Sequence, residues 1–308
     1  GNHTINRKSN LEIIHGLICS QVMEKPCILA TTLGVPRGIR KADFADKIQA
    51  LFVWGGVIKV DQNLLKSLSN LKGVDHLDNP LINRFGVKVS NTPHVVDNAT
   101  ADIGMSLMLA SARKIVEDEG CSFLSRISFY LMIFQNSSLD TDVSGATLGI
   151  IGMGRIEYKD EMFETKILYH NRNRRPESDE RAVGATYFAS MKELLQRSDF
   201  VMVVVNLSPQ THKLIGAKEF ALMKPNSTFI NISRGNVIGW NKAIQLKRNV
   251  TYPEPLPRDH PLLSFPNVIV LPHVGTHTVE TSQIMVERMV TNALAAVTGG
   301  QLPDEVKA

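Results

Sequence analysis

Glycine, arginine, glutamate and histidine stand at several places in this chain where type and spacing could do chemistry. The first is Leu148-Gly-Ile-Ile-Gly152-Met-Gly154-Arg155-Ile156. It follows an apolar run and precedes a stretch read as a helix, the context in which a glycine pattern seats a dinucleotide. Gly152 allows the tight turn. Gly154 lets the backbone approach a pyrophosphate, whose charge a helix N-terminus favours. Arg155 and Ile156 complete the segment. The third glycine of the pattern would fall at position 157, where Glu157 stands. Only residues 157–165 then remain before the next strand, which is short for a crossover helix. The alternative reading is a glycine turn that holds no ligand.

The second place is the loop Tyr169-His170-Asn171-Arg172-Asn173-Arg174-Arg175. A site for NAD usually carries an acid at the end of this strand, for the ribose hydroxyls. No acid is present, and Arg172, Arg174 and Arg175 crowd one loop. Guanidinium groups match the charge and geometry of a 2′-phosphate, so NADP(H) is expected over NAD(H). A solvated basic loop is the alternative. A nucleic-acid patch is less favoured, because no further basic or aromatic elements accompany it. Three more segments each follow a strand or a turn: Asn231-Ile-Ser-Arg234-Gly235, Tyr252-Pro-Glu254-Pro-Leu-Pro and Leu271-Pro-His273-Val-Gly275-Thr276. Open α/β sheets place ligands past strand ends. Taken singly, Arg234 could be a surface ion-pair partner, Glu254 a solvated turn residue and His273 a buried, hydrogen-bonded histidine.

The elements that must position these residues show in the apolar pattern. Short continuous apolar runs at 26–32, 48–54, 87–91, 147–151, 166–170, 200–205, 228–232 and 267–272 read as strands. Helical spacing covers 64–71, 97–116 and 280–297, and a helix closes at 194–198. Strands that alternate with helices predict parallel, doubly wound α/β sheets. The chain has 308 residues, enough for two domains, with 43% hydrophobic and 21% charged residues. A net charge of +4 implies no general nucleic-acid or membrane partner. Cys19, Cys27 and Cys121 lack metal-ligand spacing, so a reduced cytosolic protein without a metal site is expected. The apolar patch 127–134 is too short to cross a membrane. The opening Gly1-Asn-His-Thr reads as a trimmed start, and Asn98-Ala-Thr100 and Asn231-Ile-Ser233 read as chance glycosylation triplets.

Several motifs together resemble one family. They are Gly86-Val-Lys-Val-Ser-Asn-Thr-Pro, Thr100-Ala-Asp-Ile-Gly, the 145–156 glycine segment, Phe229-Ile-Asn-Ile-Ser-Arg-Gly, Pro253-Glu-Pro-Leu-Pro-Arg-Asp-His-Pro-Leu and Pro272-His-Val-Gly. The chain is similar to the D-isomer-specific 2-hydroxyacid dehydrogenases, in the glyoxylate/hydroxypyruvate reductase branch with its 2-ketogluconate reductase-like members. The resemblance spans most of 26–300. It implies two Rossmann-like or flavodoxin-like doubly wound parallel-sheet domains. The substrate-binding domain would take 1–96 plus 290–308, and the NADP-binding domain 97–289.

The resemblance also implies roles. His273 would give a proton to the ketone oxygen of a small 2-oxo acid as hydride arrives from the nicotinamide. Glu254 would hydrogen-bond that imidazole and favour its protonated form. Arg234 would grip the substrate carboxylate. Gly73 and Val74 match the end of a loop whose amides hold that carboxylate. Thr100, Asn206, Ile232, Asn249 and Gly275 would lie on the cofactor side. A homodimer is the family's usual assembly.

Four departures bear on these expectations. Asn70-Leu-Lys-Gly73-Val-Asp-His-Leu-Asp78 is too compact for the strand and glycine loop of the family. The cofactor helix is short and lacks its third glycine. The stretch from Arg234 to Glu254 is abbreviated, with Asn249 in place of Asp, so a central strand is expected to be missing. Residues 121–142 do not match the family's linker. The sheets are therefore expected to be short of strands, and each backbone group left dry and unpaired would cost about 1–3 kcal/mol. A second reading follows: a catalytically silent homologue acting as a binding or dimerisation partner.

Overall fold

The computed structural model describes residues 49–51, 62–67, 73–75, 79–116, 141–154, 164–239, 247–248, 256–265 and 267–306. In chain order the elements are β1 (Ala50–Leu51), α1 (Gln62–Ser67), β2 (Gly73–Asp75), α2 (Asn79–Asn83), β3 (Lys88–Ser90) and α3 (Asp97–Ala112). Then come β4 (Thr147–Ile151), β5 (Lys166–His170), α4 (Glu177–Ala182), β6 (Thr186–Tyr187), α5 (Met191–Arg197) and β7 (Phe200–Val203). The last are α6 (Ala217–Leu222), β8 (Thr228–Asn231), β9 (Lys247–Arg248) and α7 (Val279–Thr298). They divide into two compact units, one drawn from 1–96 and 277–308, the other from 97–276. The boundary expected at 290 falls inside α7. Helix α7 packs on β1, β2 and β3.

In the first unit, β1, β2 and β3 form a parallel sheet in that order. Leu51 pairs with Val74, which pairs with Val89. The strand expected to be missing near 73–75 is therefore present as β2. Gly73 and Val74, read in the sequence as the end of a loop, lie in β2, which pairs with β1 and β3. The strand read at 26–32 lies outside the described residues. Helix α7 starts at Thr278, whose side chain accepts from Thr281 N at 3.1 Å. It stops at Gly299, left-handed at φ 78°. Beyond it, Val306 N donates to Val89 O at 2.8 Å, and the chain lies antiparallel beside Ser90. Asp304 fixes this tail. Its carboxylate accepts from Arg288 Nε at 2.5 Å, Arg288 Nη2 at 2.7 Å and Asn292 Nδ2 at 2.8 Å.

The second unit holds a six-stranded, all-parallel sheet in the order β6-β5-β4-β7-β8-β9. Counted within the unit, that order is 3-2-1-4-5-6, the dinucleotide-binding arrangement. Both faces are covered, as a parallel sheet requires. Leu148, Ile150, Phe200, Met202 and Ile230 pack with Met105, Leu107 and Met108 of α3 on one face. Ile151, Val201, Val203 and Phe229 pack with Leu194 and Leu195 of α5 on the other. All four residues of β7 are buried. Gly149 is needed where α5 closes on β4, since a Cβ there would collide with Ser198 and Leu194.

Two expectations change here. The sheet does not lack its sixth strand, because β9 fills that position, though with only two residues. Conversely, 267–272 is not a strand among the described residues, and Val270 makes a single bridge. A two-residue edge offers little ladder for a seventh strand to join. Residues 121–140 and 155–163 lie outside the described residues.

Candidate functional site

The site is built where β4 and β7 part, at the carboxyl edge of the second unit's sheet. The ladder continues one residue past the strands: Gly152 N donates to His170 O at 3.0 Å, Val204 N to Ile151 O at 2.9 Å and Ile232 N to Val203 O at 3.2 Å. The loops after β4, β5, β7 and β8 therefore leave the sheet at one level, because parallel strands send all their carboxyl ends the same way. Gly152, Arg172, Arg174, Arg175, Asn206, Ile232 and Arg234 belong to these loops. The crossover reversal between β4 and β7 is where such sheets open a crevice for ligands.

Gly152 has φ 98°, and a Cβ on it would sit 2.6 Å from both Val204 O and Val205 Cγ1. Only glycine serves there. Beside it, Asn171 Nδ2 donates to Met153 O at 2.7 Å and ties the β5 end to the glycine turn. The Asn171 Oδ1 atom is buried with no hydrogen-bond partner. A glycine turn at the switch point, with an unpartnered buried acceptor next to it, fits a dinucleotide. Gly154 follows on the same turn. Arg155 and Ile156 lie outside the described residues, as does Glu157.

The arginine loop is not three equal cations. Arg174 donates from Nε and Nη2 to Glu180 at 2.8 and 2.7 Å, a bidentate pair. Tyr169 OH donates to the same carboxylate at 2.5 Å, and accepts from Arg175 N at 3.0 Å. Arg175 Nη2 lies 2.8 Å from Asp179 Oδ2. Arg172 is exposed. The Arg174 and Tyr169 hydrogen bonds pull the Glu180 carboxyl down to about 2. Burial and then Glu180 push the Tyr169 phenol up to about 12. Glu180 and Tyr169 were not legible as site residues in the sequence. The one signal was a tyrosine beside Ile167 and Leu168 in a strand read as buried.

Past β8, Asn231 is fully buried and shapes the turn that carries Arg234. Its Oδ1 accepts from Ser233 N at 3.1 Å and Ser233 Oγ at 2.7 Å, and its Nδ2 donates to Arg234 O at 3.2 Å. Arg234 is exposed, with Nη1 donating to Ser233 O at 2.8 Å. Ile232 is buried. Past β7, Thr211 Oγ1 donates to Asn206 O at 2.6 Å, which pins that loop. Thr100 sits half-buried in the first turn of α3. His273 is exposed, with a left-handed backbone at φ 53°, and Gly275 is buried. Such backbone in a non-glycine residue is uncommon and is concentrated at functional sites. Glu254 and Asn249 lie outside the described residues. Among the described residues, no group of three or more His, Cys, Asp or Glu could hold a metal, and no helix is long and apolar enough to cross a membrane.

This strand order and glycine turn define a dinucleotide-binding α/β protein. Comparison with known proteins narrows the class. Residues 105–275, more than half of the chain, match the family "D-isomer specific 2-hydroxyacid dehydrogenase, NAD binding domain". A glyoxylate reductase of Thermococcus litoralis is 36% identical over 270 residues, covering 80% of this chain and 79% of the relative. A glyoxylate reductase/hydroxypyruvate reductase of Homo sapiens is 34% identical over 262 residues, covering 79% of this chain and 77% of the relative. Among solved structures, the NADPH-dependent glyoxylate/hydroxypyruvate reductase of Sinorhizobium meliloti, in complex with NADP and malonate, is similar at a TM-score of 0.70 and 25% identity, covering 87% of this chain and 86% of that one. The chain belongs to the D-isomer-specific 2-hydroxyacid dehydrogenases.

Proposed function

We propose that this protein reduces a small 2-oxo acid of the glyoxylate or hydroxypyruvate type to the D-2-hydroxy acid, with NADP(H) preferred over NAD(H). The observation that carries the reading is the Gly152 turn at the switch point of a 3-2-1-4-5-6 sheet, with Arg234 on a loop leaving the same edge. The names of the relatives and the NADP bound to the Sinorhizobium meliloti structure support it. When bound, the reduced nicotinamide supplies the hydride. The residues at 152–154 would hold the pyrophosphate, with Arg155, Ile156, Thr100, Asn206, Ile232, Asn249 and Gly275 around the rest. Arg234 binds the substrate carboxylate and draws electron density from the carbonyl. His273 donates the proton to the carbonyl oxygen, with Glu254 as its supporting carboxylate. Asn171, where an acid would repel it, and the arginines beside it support a 2′-phosphate. We further place the protein in the cytosol as a homodimer.

Steady-state reduction of hydroxypyruvate with NADPH tests the reading. Turnover that His273→Ala abolishes is the expected result. A second reading has one observation in its favour: Gly73 and Val74 lie in a strand paired with β1 and β3 rather than in an open loop. A chain that is folded by near-UV circular dichroism yet neither turns over nor binds NADPH would support that silent homologue.

A further inference from the structure

The loop after β5 carries three guanidinium groups, but two of them face a carboxylate at hydrogen-bond distance. Glu180 takes Arg174 through two bonds, and it is itself buried, anchored by the fully buried Tyr169. Asp179 takes Arg175. Among the described residues none pairs with the exposed Arg172 side chain. A bidentate pair presents a dipole, not a cation, to an anion a few ångströms away. The Arg174 fork also has Nε and one Nη committed, and its Cζ lies over the Tyr187 ring, 5.8 Å from the centroid.

We infer that Glu180 limits the cofactor preference of this protein by cancelling Arg174, which leaves Arg172 as the guanidinium that meets the 2′-phosphate. The inference rests on the NADP(H) reading above and deepens it. Glu180 touches neither substrate nor cofactor. It is a positioning residue that acts through Arg174, while Tyr169 fixes the carboxylate and, through Arg175 N, the loop backbone. The pair is partly exposed, with 61% of the Arg174 side chain accessible, so solvent screens it and the effect is several-fold rather than many decades.

The test is fluorescence titration of the full-length protein with NADPH and with NADH, read as the ratio of the two dissociation constants. Arg172→Ala is expected to lower the preference for NADPH by about tenfold or more, as loss of a charge-assisted phosphate contact does. Arg174→Ala strips Glu180 of its partner and leaves its charge in place, so it is expected to lower the ratio by about as much as Glu180→Gln raises it, about threefold to tenfold. Glu180 is buried, so where Glu180→Gln does not fold, the double variant Arg174→Gln/Glu180→Gln replaces it, with a ratio expected within about threefold of the parent. An Arg172→Ala loss smaller than that of Arg174→Ala, or an unchanged ratio in folded Glu180→Gln, overturns the inference and leaves the cofactor reading standing. A parent protein that binds NADH as tightly as NADPH overturns both.

Discussion

At Gly152 the requirement is steric and local. Its φ of 98° and the 2.6 Å approach of Val204 O leave no room for a methyl group. Gly152→Ala should cost about 1–3 kcal/mol of stability in urea unfolding and should weaken NADPH binding with it. Arg234 is held by a turn that Asn231 builds, and its task is a forked contact with a carboxylate. Arg234→Lys keeps the charge and loses the fork, so kcat/KM for hydroxypyruvate should fall on the order of 100-fold. Glu180 gives a pH signature. Its carboxyl lies at about 2 in the folded protein, against an ordinary 4.5. A carboxyl lowered on folding stabilises the protein above its unfolded value, and the stabilisation fades as pH falls towards the folded value. The parent's advantage over Glu180→Gln in urea midpoint should therefore be full near neutral pH. It should shrink steadily below about pH 5.

Elements differ in how they are held. The central strands β4, β7 and β8 are short but largely buried, and β7 needs only Phe200-Val-Met-Val203 to anchor the sheet's middle. The end of the chain is held otherwise. Residues 301–306 bury Leu302 and are tied down by Asp304, which meets Arg288 and Asn292 from α7. The Arg288 hydrogen bond holds the Asp304 carboxyl below its ordinary value. Asp304→Asn keeps the volume and loses the charge. It should destabilise the protein by about 1–3 kcal/mol. Hydrogen exchange at Val306 N, which bonds Val89 O, should accelerate in the variant while the β4 and β7 amides keep their protection.

Over the whole molecule, a ligand that binds only the folded chain stabilises it by mass action. NADPH at about 100 times its dissociation constant should add about 2.7 kcal/mol to unfolding, with NADH at the same concentration adding less. Equal thermal shifts from both cofactors would contradict the proposed preference.

The apolar runs at 147–151, 200–205 and 228–232 were enough to read buried parallel strands, because a strand covered on both faces needs apolar residues at every position. The glycine spacing likewise marked the turn, since φ above zero next to a close backbone is a local demand. The chain by itself thus determined the parallel sheet and the place of the cofactor turn. It did not reveal β2 or β9, whose residues Gly73-Val-Asp75 and Lys247-Arg248 carry no strand pattern and are strands only because neighbours pair with them. Nor did it show that two of the three loop arginines face a carboxylate at hydrogen-bond distance. Glu180 lies six residues beyond Arg174 and eleven beyond Tyr169, and one-dimensional spacing does not reveal whether three side chains meet within 3 Å. Charge cancellation depends on distance through space, and only the folded chain fixes that distance.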